Sequence, residues 1–169
     1  MILFARAPIP GRVKTRLAAR LGPERAAELH TAFVADMLDL LASKEALADV
    51  ELHTDTLTDA WAGVKVSRRL QSDGDLGAKI YTALQNSLAE GRSRAMIVGS
   101  DAPTLPSSHL EKLLASPADV ALGPTGDGGY YAISCRRIHP EMFRGVRGHG
   151  PTSSNVQWPP RNDAGLASS

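Results

Sequence analysis

Ala95-Met96-Ile97-Val98-Gly99-Ser100-Asp101-Ala102-Pro103-Thr104-Leu105 decides the fold class. Four consecutive apolar residues end in a glycine, a hydroxyl and a carboxylate. A short run that is apolar at every position predicts a strand covered on both faces, as parallel strands flanked by helices are. Downstream, Pro106-Ser107-Ser108 opens a short helix with Leu110, Leu113 and Leu114 facing inward. Val120–Leu122 and Tyr130–Ile133 read as further strands. Upstream, Asp73, Gly74 and Asp75 lead into a helix whose stripe is Leu76, Ile80, Leu84 and Leu88, and Gly91 stands where a C-terminal cap belongs. Ser67–Gln71 and Val50–Thr54 are weaker strands. Gly22-Pro23 opens a longer helix with Ala26, Leu29, Phe33, Met37 and Leu40 on one face. Met1–Ala5 is again apolar throughout. This β-α-β order predicts an α/β fold of three layers, α/β/α, around a mostly parallel sheet.

Composition bounds the function. The 169 residues predict one domain with a real core, since 43% are hydrophobic. Nineteen basic against 18 acidic groups give a net charge of +1, which argues against a dedicated nucleic-acid binder. One cysteine, Cys135, excludes an internal disulfide, and it reads as a small buried hydrophobe. No apolar run approaches the ~20 residues of a membrane span. The N-terminus has no basic region ahead of an apolar one, so a cytoplasmic protein is expected. Charge is nevertheless uneven. Between Met1 and Pro23 the charged residues are Arg6, Arg12, Lys14, Arg16 and Arg20, with no acid among them. That stretch is either a local anion site or a solvated basic face.

In an open parallel sheet, ligands bind beyond the carboxyl ends of the strands. The first strand runs out into Arg6-Ala7-Pro8-Ile9-Pro10-Gly11-Arg12-Val13-Lys14-Thr15-Arg16-Leu17. Gly11 permits tight backbone geometry, Lys14 supplies a point charge and Arg16 a fork, a set suited to a diphosphate. The spacing is not that of a Walker A loop, and an exposed basic loop is the competing interpretation. Asp101, immediately after its strand, suits Mg²⁺ or Mn²⁺, or else caps a turn. In Gly126-Asp127-Gly128-Gly129-Tyr130-Tyr131, Asp127 is placed to meet a metal or a sugar hydroxyl, or else forms a hairpin turn. Gly74-Asp75-Leu76-Gly77 starts a helix capped by Asp73 or Asp75, or lies along a nucleoside. No G-x-S-x-G elbow is present, and the five histidines lack metal-ligand spacing. Residues 145–169 show no period and read as loop.

Taken together, these motifs resemble a bacterial family of GT-A-like transferases, the radical-SAM/selenodomain-associated transferases or glycosyltransferases of unknown function. The resemblance rests on Phe4–Leu17, Gln71 with Gly74–Gly77, Gly99–Leu105 and Leu122–Tyr131, in that order, and covers residues 1–144. More distantly the chain is similar to 2-phospho-lactate and molybdenum-cofactor guanylyltransferases. The resemblance implies a nucleotide-diphospho-sugar transferase fold. It implies phosphate contacts from Arg6, Gly11, Lys14 and Arg16, and nucleotide contacts from Gly74, Asp75 and Gly77. It also implies Mg²⁺ or Mn²⁺ on Asp101, with Asp127 near the acceptor or sugar. The expected activity is metal-dependent glycosyl transfer from a nucleotide sugar to an acceptor that the sequence does not name. Nucleotidyl transfer to a phosphorylated acceptor, or nucleotide binding without turnover, are the alternatives. The family's late acidic motif and final helix do not follow Gly145, as after a truncation or frameshift or, alternatively, in a diverged tail. An uncovered sheet edge would then favour a homo-oligomer.

Overall fold

The structure is a computed structural model that describes residues 1–44, 46–126 and 128–143. Asp127 and the stretch 145–169 lie outside the described residues. The elements follow in the order β1 (Ile2–Ala5), α1 (Thr15–Leu21), α2 (Pro23–Ala42), β2 (Glu51–Thr54), β3 (Ser67–Leu70), α3 (Leu76–Ala89), β4 (Ala95–Gly99), α4 (Ser107–Ala115), β5 (Val120–Pro124) and β6 (Tyr130–Cys135). A 3₁₀ turn, Pro140–Phe143, ends the described chain. The chain forms two compact units. One is Met1–Gln71 with Gly99–Leu105, and the other is Ser72–Val98 with the chain from Pro106 on.

In the first unit the strands lie in the order β3-β2-β1, all parallel, with Ile2 opposite Glu51 and Glu51 opposite Ser67. All four residues of β1 are buried, as its unbroken apolar run requires. β2 is buried too, although three of its four residues are polar. His53 and Glu51 satisfy each other at 2.9 Å, Arg69 adds a second contact to Glu51 at 3.2 Å, and Phe4 stacks on the His53 ring. A buried strand built from polar residues that pair internally carries no hydrophobic period, which is why its sequence signal was weak. Every residue of β3 is exposed, and its signal was weak for the opposite reason.

α2 begins at Pro23, as Gly22-Pro23 predicted. Its buried stripe is set one position away from the predicted face. Ala26, Ala27, His30, Val34, Met37, Leu38 and Leu41 are buried, while Leu29, Phe33 and Leu40 are only half-buried. Helix α1 was not foreseen. It lies against α2, so Arg16 belongs to a helix rather than to the loop it was assigned to.

In the second unit the order is β4-β6-β5, and β6 runs antiparallel to both neighbours. The five residues 125–129 between β5 and β6 are too few for a parallel crossover, which needs a dozen or more. Within each unit, every strand except β6 shares one direction. The fold is therefore α/β with mostly parallel strands. Ile80, Leu84, Met96, Val98, Leu110, Ile133 and Phe143 are buried here. Gly91, in the left-handed region at φ +91°, ends α3 as predicted, and its N–H reaches the Leu88 carbonyl at 3.0 Å. Cys135 is fully buried, and burial pushes its thiol up to about 12, so it behaves as the inert hydrophobe expected.

Candidate functional site

The loop after β1 is fixed at several points, all within the first unit. The Arg12 N–H donates to the Ile9 carbonyl at 3.0 Å, closing a turn around Pro10-Gly11. Gly11 has φ +78°, and a Pro-Gly pair with that sign is the signature of a type II turn. The Arg6 guanidinium bends back to donate to the Arg12 carbonyl at 3.0 Å. Asp55 accepts from the Ala7 N–H at 2.7 Å, and His30 Nε2–H donates to the Arg6 carbonyl at 3.0 Å. Gln71 Nε2 donates to the Ala5 and His53 carbonyls, each at 3.2 Å, tying the ends of β1 and β2 together.

At the end of this loop Lys14 adopts the left-handed conformation, φ 46° and ψ 40°, as the residue that precedes α1. A non-glycine residue there is uncommon and costs on the order of 1 kcal/mol, so the surrounding structure must impose it. The Ala18 N–H and Leu17 N–H both donate to its carbonyl, at 3.0 and 2.8 Å. Its side chain runs inward. Nζ lies 2.8 Å from Asp101 Oδ1 and 4.5 Å from the centroid of the Phe33 ring. The Lys14 side chain retains 14% of its exposure, whereas that of Asp101 retains 80%. Lys14 is thus held and Asp101 is open to solvent. Two residues 87 positions apart, selected by separate motifs, meet at one point.

Arg6 and Gly11 sit in the same loop and are exposed, and Arg16 is exposed on the first turn of α1. The remaining predicted residues belong to the second unit. Gly74 has φ +106°. Asp75 caps α3, its Oδ1 accepting from the Ala78 N–H at 2.8 Å. Gly77 is buried, and a Cβ added there would stand 2.3 Å from the Phe143 carbonyl oxygen, so close packing of the 3₁₀ turn requires a glycine. The segment after β5 is a hairpin closed by the Thr125 N–H on the Gly129 carbonyl at 2.9 Å, with Gly128 at φ +84°. Gly123 is in tight contact with the Tyr131 ring, and His109 stacks on that ring at 6.1 Å.

Three residues that shape the loop were missed. Asp55 directly follows β2, whose end at Thr54 the sequence placed correctly, so the strand-end rule that selected Asp101 could have found it as well. His30 and Phe33 sit three apart on α2, and the helix periodicity treated that helix only as core. His30 is 4% exposed and meets the Trp61 ring edge-on. Its Nδ1 makes no hydrogen bond among the described residues. Burial lowers its pKa below 6.5, and Lys14 acts in the same direction. The Arg6 carbonyl and the carboxylates of Asp101 and Asp55 oppose the shift. The unfolded chain therefore takes up a proton near pH 6.5 that folded His30 resists. This contribution to stability is complete above that pH and is lost as pH falls below it. Melting temperatures followed from about pH 8 to pH 5 should fall less steeply for His30→Gln than for the parent. Parallel curves would show that His30 carries none of the pH dependence.

The mostly parallel α/β fold is that of the nucleotide-diphospho-sugar transferases. The chain superposes on the crystal structure of a "putative nucleotide-diphospho-sugar transferase" from Desulfovibrio desulfuricans G20 with a TM-score of 0.79 and 35% identity, covering 86% of this chain and 67% of that one. The chain belongs to the family described as "Uncharacterized protein conserved in bacteria (DUF2064)", which it matches over residues 29–148. It is also similar to two proteins named 2-phospho-L-lactate guanylyltransferase. One, from Haloarcula marismortui, is 30% identical over 155 residues, 88% of this chain and 70% of the relative. The other, from Methanocella arvoryzae, is 36% identical over 125 residues, 74% of this chain and 52% of the relative.

Proposed function

We propose that the chain is a transferase that holds the phosphates of a nucleotide at Lys14 and transfers a nucleotidyl group to a phosphorylated acceptor. The observation that carries this is the Lys14–Asp101 pair, where a restrained ammonium and an exposed carboxylate stand 2.8 Å apart at the strand ends. A backbone strained to hold one lysine inward is common at functional sites and uncommon in a merely solvated basic loop. The names of the two guanylyltransferase relatives favour nucleotidyl over glycosyl transfer. Arg6 and Arg16 are near enough in sequence to add charge to the same loop.

Among the described residues, no group of three or more His, Cys, Asp or Glu side chains is arranged to hold a metal ion. A single exposed carboxylate does fit Mg²⁺, which commonly binds through one or two carboxylates together with substrate phosphates and water. Asp101 is the residue that would hold it, arriving with the nucleotide. When bound, the cation would neutralise charge on the phosphates. Lys14 supplies a donor aimed at the same charge. Its side chain, largely buried and restrained, needs little reorganisation to meet a developing negative oxygen.

Glycosyl transfer is the second reading, favoured by the description of the Desulfovibrio structure. The leaving group decides between the two. With a nucleoside triphosphate and a phosphorylated small acid as acceptor, nucleotidyl transfer releases pyrophosphate. With a nucleotide sugar, glycosyl transfer releases a nucleoside diphosphate. Pyrophosphate release that depends on the acceptor is the expected result. Nucleoside diphosphate release from the sugar donor alone would replace the first reading with the second.

A further inference from the structure

We infer that Phe33 is a positioning residue, its ring face holding the Lys14 ammonium where phosphate is met; this rests on the phosphate reading above. The sequence placed Phe33 in the apolar stripe of α2. The structure leaves it half-buried, beside a stripe made of Ala27, His30, Val34, Met37, Leu38 and Leu41. A large aromatic side chain outside its helix's core stripe has another use here, because Lys14 Nζ sits 4.5 Å from its centroid.

The energetics favour a specific task for the ring. The Lys14 side chain is only 14% exposed, and a ring face can favour its ammonium without consuming its N–H groups. The ring acts through its quadrupole and leaves the outward N–H groups to oxygen acceptors. Asp101 takes one of them at 2.8 Å. Its carboxylate, 80% exposed, is the member of the pair that can turn away at little cost. Phe33 is what keeps Lys14 in place when it does. α1, which follows Lys14, packs on α2, which carries Phe33, so ring and ammonium are held by elements already in contact.

The test is a double-mutant cycle on the full chain. Isothermal calorimetry with inorganic pyrophosphate and Mg²⁺ as the probe is applied to the parent, Phe33→Leu, Lys14→Ala and the double variant. Phe33→Leu should weaken pyrophosphate binding roughly three- to tenfold in the parent and have no effect in the Lys14→Ala background. Phe33→Tyr should restore affinity to within about twofold. Pentafluorophenylalanine at position 33 keeps the ring's shape and reverses the sign of its face, so it should lose affinity without loss of melting temperature. Full binding by that variant would overturn the inference, and it does so even if Phe33→Leu fails to fold. The inference also fails if the Leu variant loses the same factor in both backgrounds, since the ring would then act on the fold and not through Lys14. Lys14→Ala binding pyrophosphate like the parent would overturn the phosphate reading itself, a separate result from any failure of Phe33.

Discussion

Lys14→Ala is expected to weaken nucleoside-diphosphate binding about tenfold to a hundredfold while the protein stays folded. Losing one charge-assisted contact to phosphate costs roughly 1.5–3 kcal/mol, which gives that range. Stability should change little, because the Asp101 carboxylate left behind is 80% exposed and is simply hydrated. The left-handed backbone at φ 46° allows a sharper control. Alanine inherits the strain there, whereas glycine does not. Lys14→Gly should therefore lose the same affinity and melt higher than Lys14→Ala. Calorimetry and thermal denaturation on the two variants separate the side chain's charge from its backbone. Affinity equal to the parent's in both would reduce the loop to a solvated basic surface.

Most of the fold was legible because its strands and helices obey simple periods. β1 and β4 are apolar at every position, and the three longer helices carry stripes at three- and four-residue steps. The features that were weakly marked or missed share a physical cause: apolar periodicity does not produce them. β2 buries a single apolar side chain, Leu52, and its buried Glu51 and His53 satisfy each other. α1 exposes Leu17 and Leu21 and buries none of its residues, so no stripe announces it. The direction of β6 follows from loop length, which the strand pattern alone does not encode. The same division runs through the site. Lys14 and Asp101 were singled out because motif chemistry and strand ends both point to them, and the structure pairs them. The contacts that hold Lys14 and its loop, from Phe33, His30 and Asp55, came from helix positions and a strand end already interpreted as packing. Gly77, singled out for nucleotide contact, also has a packing reason in the Phe143 carbonyl against it.

Asp101→Asn should change nucleotide binding in opposite directions with and without Mg²⁺. The substitution keeps the shape of the side chain and removes its charge. In buffer free of divalent cations, Asp101 is only a competitor, since its carboxylate occupies Lys14 Nζ at 2.8 Å and repels an incoming phosphate. Removing that charge should improve phosphate binding, by no more than a few-fold because so exposed a carboxylate is well screened. With Mg²⁺ present, the proposed role makes the same carboxylate a ligand, and asparagine is a poor replacement for a cation that prefers charged oxygen. Affinity should then fall tenfold to a hundredfold relative to the parent. A turn or cap aspartate makes neither prediction, and an aspartate that only pairs with Lys14 makes the first but not the second. Calorimetry of a nucleoside diphosphate in chelator and in millimolar Mg²⁺ therefore distinguishes all three roles. Improved binding in both buffers would leave the ion pair standing and move the metal elsewhere in the protein.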